Sequence, residues 1–148
     1  MSNPFDVSRE TTLYVRDHCL CLHAQRAARA LARRFDEAFR PLGLTNGQFS
    51  LMMALNRHEP PAMAGIAALL AMDRTTLTAA LKPLERRGLM EIRSDPRDRR
   101  RRVLTLTLSG RELLAKAVPV WAETHAEVER RLPVGEAEIL RVALKALS

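Results

Sequence analysis

The residues in this chain best suited to chemistry are its arginines. Residues 94–102 read SDPRDRRRR, five arginines against two aspartates, and the preceding stretch from Asp73, DRTTLTAALKPLERRG, adds Arg74, Lys82, Arg86 and Arg87. Guanidinium groups at this density neutralise polyanions and make forked hydrogen bonds to phosphate oxygens. The charge is segregated: residues 73–102 hold 10 basic and 5 acidic side chains, against 8 and 6 in residues 1–72 and 6 and 6 in residues 103–148, for a total of +7. A surface charged only for solubility would not concentrate its excess in thirty residues. A nucleic acid or an anionic membrane surface is the kind of partner implied.

Other chemistries lack their residues. The two cysteines, Cys19 and Cys21, stand two apart, and on a helix that spacing points them about 200° apart, which argues against a bond between them. The four histidines, His18, His23, His58 and His125, are scattered, with no spacing that would hold a structural zinc. No Gly-x-Ser-x-Gly elbow, phosphate-cradling glycine loop or His-Glu-x-x-His occurs, so neither an enzyme nor a resident cofactor or metal is expected.

The 148 residues are 47% hydrophobic, enough for one domain with a real core. The charge-free stretch Pro60–Met72 is well short of the ~18 apolar residues a membrane span needs. Asp6 and Glu10 stand in the N-terminal MSNPFDVSRE, where a secretory signal would place a basic start and an apolar run, so the expectation is a cytoplasmic protein.

Hydrophobic periodicity then supplies the elements. Leu20, Ala24, Ala27, Leu31, Phe35 and Phe39 recur at three- and four-residue steps, predicting a long amphipathic helix that ends near Pro41 and Gly43. Thr45 and Gln48 form a capping-box pair before a second helix ending near Arg57. Pro60 and Pro61 break it, and a short helix with Ile66, Leu69 and Leu70 follows, for which no Ser, Thr or Asp cap is present. Asp73 caps the next helix, which runs to Arg87 and Gly88, so two short helices about a tight turn read as a helix-turn-helix. After Gly88 the period falls to two: Met90 and Ile92, then Leu104 and Leu106, predict a β-hairpin around the arginine loop. Two helices complete the chain, bent at Pro119 in the first.

At 100° per residue, Leu77, Leu81 and Leu84 share one face of the helix after Asp73, while Thr75, Ala79, Lys82 and Arg86 lie opposite and Thr78 on the flank. Short side chains near its start would let it sit deep in a major groove, with Arg74, Thr75, Thr78 and Lys82 as readers and Arg86 reaching phosphate. The threonines have an equal claim to local backbone bonding. Pro83 should loosen the turn it sits in. In the hairpin loop, Arg97 suits a narrow minor groove, Asp95 is placed to hold its guanidinium extended, Asp98 to pair with a further arginine, and Arg99, Arg100 and Arg101 to neutralise phosphate. Both aspartates could instead cap the turn around Pro96.

Three strings, LGLTNGQFSLMMAL (Leu42 to Leu55), DRTTLTAALKPLERRGLM (Asp73 to Met90) and DPRDRRRRVLTLTLSGRELL (Asp95 to Leu114), resemble the MarR family of bacterial winged helix-turn-helix regulators. The resemblance implies a mainly α fold with a small β-hairpin wing and a helical dimerisation region. Residues 1–45 and 108–148 would clasp a homodimer and residues 46–107 would bind DNA. It implies a cytoplasmic repressor that binds a pseudo-palindromic double-stranded operator and releases it when a small aromatic or anionic effector binds. His23, Arg26 and Arg57 are the candidate effector anchors. Cys21, 24 residues before Thr45, resembles the reactive cysteine of the organic-hydroperoxide-sensing branch, with Cys19 nearby. Gln25 and Phe35 stand where that branch has tyrosines, and a helical cysteine is more often a small buried hydrophobe. The alternatives are therefore a thiol-based hydroperoxide-sensing repressor and a non-specific architectural nucleic-acid binder.

Overall fold

A computed structural model describes residues 3–148. Two compact units divide the chain, Met1–Arg34 and Phe35–Ser148. The first carries α1 (Arg9–His18) and most of α2 (Leu20–Phe39). Helix α1 was not anticipated. Ser8 caps it by accepting the Thr11 N–H at 3.1 Å, and it ends at Cys19, whose backbone is extended. Cys19 is therefore not helical, and the angular argument separating it from Cys21 does not apply.

In the second unit, α2 ends at Phe39, and a 3-10 turn over Arg40–Leu42 closes on Gly43 at φ 66°. The Thr45 capping box forms in both directions: Gln48 N–H donates to Thr45 Oγ1 at 3.2 Å, and Thr45 N–H to Gln48 Oε1 at 3.1 Å. Asp36 adds a second anchor at the start of α3 (Asn46–Leu55), accepting the Asn46 N–H at 2.7 Å. These backbone and side-chain bonds hold the Asp36 carboxyl below its ordinary pKa.

Helix α4 (Met63–Leu69) starts at Ala62 with no side-chain cap, as read from the sequence. Its approach segment is pinned instead to the hairpin: Leu104 N–H donates to Pro61 O at 3.1 Å, and Ala62 bridges Val103. The turn into α5 (Arg74–Arg86) passes through Ala71 at φ 52°, the left-handed region that closes a helix end. Helix α5 continues through Pro83, and Gly88 at φ 69° turns the chain into β1 (Met90–Ser94). Strand β2 (Arg102–Leu106) pairs antiparallel to it, Met90 opposite Leu106 and Ser94 opposite Arg102. Helix α6 (Leu108–Glu129) continues through Pro119, and α7 (Glu136–Leu147) ends the chain.

One core serves these elements. Phe39, Leu51, Met52, Ile66, Leu77, Leu81, Leu84, Met90 and Leu104 are fully buried, so the inner faces of α3, α4, α5 and the hairpin share one apolar cluster that holds α5 against the wing. By contrast α1 and α7 bury no residue. Among the described residues no single helix is long and apolar enough to cross a membrane, and no group of three His, Cys, Asp or Glu side chains could hold a metal ion.

Candidate nucleic-acid interface

Helix α5 is oriented by its leucines. Leu77, Leu81 and Leu84 are 0–1% exposed, which turns Arg74, Thr75, Thr78, Ala79, Lys82 and Arg86 outward to solvent. Its first turn is held by Asp73, whose two carboxylate oxygens accept the Thr76 N–H at 2.7 Å and the Thr76 hydroxyl at 2.9 Å. These bonds, the backbone one first, lower the Asp73 pKa. The cap therefore stays ionised at neutral pH and weakens only in acid, as pH falls through that lowered value. Thr78 donates its hydroxyl to the Arg74 carbonyl at 2.8 Å, so the local bonding anticipated for the threonines is realised there. Its oxygen lone pair and methyl group remain available outward, suiting an amino-group donor or a thymine methyl.

In the wing, Asp95 accepts the Arg97 backbone N–H at 2.9 Å and Asp98 accepts the Arg100 backbone N–H at 3.0 Å. Two consecutive side-chain turns thus shape the tip, together with Asp95 N–H to Arg101 O at 2.8 Å. This corrects the expected bracing. The guanidinium beside Asp95 is that of Arg101, at 4.0 Å, and not that of Arg97; Asp98 holds a backbone amide where a side-chain pair was expected. The reason is reach: a carboxylate on one short carbon link meets the amide two residues on, while the side chain there points away. Among the described residues no ion pair engages Arg74, Lys82, Arg97, Arg99, Arg100 or Arg102.

The two cationic elements meet. Arg74 at the start of α5 and Arg100, Arg101 and Arg102 of the wing line one cavity of about 430 Å³ floored by Ala62, Met63, Ala64 and Ala67. A second cavity of about 640 Å³, sharing Ala62, Ala64 and Arg101 with the first, is lined also by Arg57, Glu59, Pro60 and Gly65. Sequence reasoning missed the part played by α4. Its Met63, Ala64 and Ala67 carry no charge to flag them, yet they line the same cavity as the arginines.

Cys21 is exposed, contrary to the buried hydrophobe expected, and its sulfur receives the Gln25 amide at 3.4 Å. Cys19 Sγ takes the Leu22 N–H at 3.4 Å, capping α2. His23 and Arg26 line a cavity along α2 with Arg29 and Arg33. Arg57 lines a different one, about 450 Å³, walled by Phe49, Met53, Leu69, Val118 and Trp121.

A helix-turn-helix whose outward helix stands beside a cationic β-hairpin defines a winged helix-turn-helix protein. Comparison with known proteins gives the family. The MarR family model matches residues 44–101. Transcriptional regulator HosA of Escherichia coli O111:H- is 35% identical over 98 residues, spanning 65% of this chain and 71% of that protein. Among solved structures, M. tuberculosis transcriptional regulator MosR in complex with DNA matches at 38% identity with a TM-score of 0.79, over 88% of this chain and 93% of that one. Transcriptional repressor CouR bound to a 23-mer DNA duplex matches at 27% identity with a TM-score of 0.81, over 96% and 98%. The chain belongs to the MarR family of transcriptional regulators, and it is not an enzyme.

Proposed function

We propose that this protein is a cytoplasmic homodimeric repressor that binds a pseudo-palindromic double-stranded operator. Each subunit places α5 in a major groove and the hairpin tip in the adjacent minor groove. The observation that carries the reading is the shared cavity of Arg74, Arg100, Arg101 and Arg102, which makes helix start and wing base parts of one cationic surface. Residues 46–107 are the DNA-binding part, and residues 1–45 and 108–148 the dimerisation part. Support for the latter comes from apolar side chains left in water: Val15 and Leu20 in the first unit, and Ile139, Val142 and Leu147 in the second, are 54–68% exposed. Exposed apolar stripes on terminal helices are what a second copy would cover. The assignment as a repressor rests on the likeness to CouR.

Selection of bound sequences from a random duplex pool tests this. The expected product is an inverted repeat with half-sites about one helical turn apart. Equal binding to every duplex, with a common salt slope, would instead establish the architectural binder.

The effector site in this reading is the cavity of about 450 Å³ beside Trp121, whose aromatic and aliphatic walls suit a small aromatic ring and whose Arg57 suits its carboxylate. Trp121 is the only tryptophan, so binding of a probe such as benzoate should change the intrinsic fluorescence. Arg57→Ala should weaken that binding by about tenfold, the order expected for a charge-assisted hydrogen bond. Equal benzoate affinity in both proteins would remove Arg57 from the site. Release of operator DNA by peroxide from the wild type but not from Cys21→Ser would favour the thiol reading over the ligand one.

A further inference from the structure

At the root of the hairpin one hydroxyl joins elements that are distant in sequence. Thr107 follows β2 and is the cap of α6. Its Oγ1 accepts the Gly110 N–H at 3.0 Å, which is ordinary capping. The same oxygen donates its hydrogen to the Gly88 carbonyl at 2.5 Å, and the Thr107 amide donates to the Leu89 carbonyl at 3.1 Å. Gly88 and Leu89 close the end of α5, because their amides return to Glu85 O at 2.9 Å and Leu84 O at 3.0 Å. One side chain therefore bonds at once to the end of the outward helix and to the first turn of α6, directly beside the Met90–Leu106 pair where the wing begins.

We infer that Thr107 is a positioning residue for DNA binding, its hydroxyl setting the angle at which the wing leaves the end of α5. The inference rests on the DNA-binding reading above. The lever is long: a strand of five residues at ~3.4 Å each spans about 17 Å, so a 5° rotation at the root moves the tip by about 1.5 Å. That displacement exceeds the tolerance of a hydrogen bond. Thr107 touches no DNA in this account and acts through Arg97.

Two variants separate its roles. Thr107→Asp keeps an acceptor for Gly110 N–H and so keeps the cap of α6, but as a carboxylate it has no hydrogen for Gly88 O. Thr107→Ser keeps both. Affinity for the selected operator is measured for each, alone and combined with Arg97→Ala, with near-ultraviolet circular dichroism reporting the fold. Thr107→Asp is expected to bind about tenfold more weakly with an unchanged spectrum, Thr107→Ser within about twofold of wild type. The loss caused by Arg97→Ala should shrink in the Thr107→Asp background, because a displaced wing has less to lose. Wild-type affinity in Thr107→Asp, or losses that simply multiply with those of Arg97→Ala, would overturn the inference while leaving the DNA-binding reading intact. A wild-type protein with no operator preference would overturn that reading itself. Thr107→Ala, lacking cap and donor alike, provides a second comparison: binding equal to that of Thr107→Ser would also refute the role.

Discussion

Gly110→Ala is expected to destabilise the protein by ~3 kcal/mol, at the upper end for a small-to-large change, and to lower the unfolding midpoint by about 10 °C. A Cβ at this position would lie 2.0 Å from the Leu89 carbonyl oxygen and 3.0 Å from its carbon. Both are backbone atoms of the segment that joins α5 to the wing, so no side-chain rotation relieves the clash. Either the start of α6 must lift or the hairpin root must move, and both carry the bonds made by Thr107. Alanine's better helix propensity, worth ~1 kcal/mol over glycine, is too small to compensate. Gly65→Ala is the matched control: it lies in α4 with nothing within 4 Å of an added Cβ. There the same change should leave the midpoint unchanged or raise it by a few degrees. Thermal unfolding followed by circular dichroism measures both, and an unchanged midpoint in Gly110→Ala would show that the helix start accommodates a methyl group.

Arg97→Ala is expected to weaken operator binding by about 10- to 100-fold and to flatten its salt dependence. Arg97 stands exposed at the wing tip, its backbone pinned by Asp95 and its guanidinium outside any ion pair among the described residues. A charge already committed within the protein would have to be released before meeting phosphate; this one is free. In a symmetric dimer the substitution removes two cations at once. The slope of log K against log salt should therefore fall in magnitude by roughly 1.8, twice the ~0.9 expected for each phosphate contact. Arg93→Ala offers a contrast, since Arg93 is paired with Glu91 on the same strand, and a smaller change is expected. Equal affinity and equal slope for Arg97→Ala and wild type would take the wing out of the interface.

The parts of this architecture legible in the sequence are those written in short-range patterns. Thr45 with Gln48, and Asp73 with Thr76, are caps whose partners lie three residues away, and both form. The three leucines of α5 select its inner face by angle alone, and the change of period after Gly88 marks the hairpin. Helix α1 escaped because its apolar positions are few and none is buried, so hydrophobic periodicity had little to report. For Asp95 and Asp98 the sequence left two roles open, bracing a guanidinium or capping the turn around Pro96, and the structure realises the second because a short carboxylate reaches the amide two residues on.

The sequence alone was sufficient to define the helices and strands that follow Leu20, which face of α5 turns outward, and where positive charge accumulates. Capping, periodicity and net charge are properties of neighbours along the chain, which explains why they could be read from it. Only the tertiary structure decided that Thr107 bonds to Gly88 across 19 residues, that Gly110 lies against Leu89, and that the arginines of the wing share a cavity with Arg74. Those contacts arise when α3, α4, α5 and the hairpin close on one apolar core, and the positions brought together carry no mark of one another in the linear order.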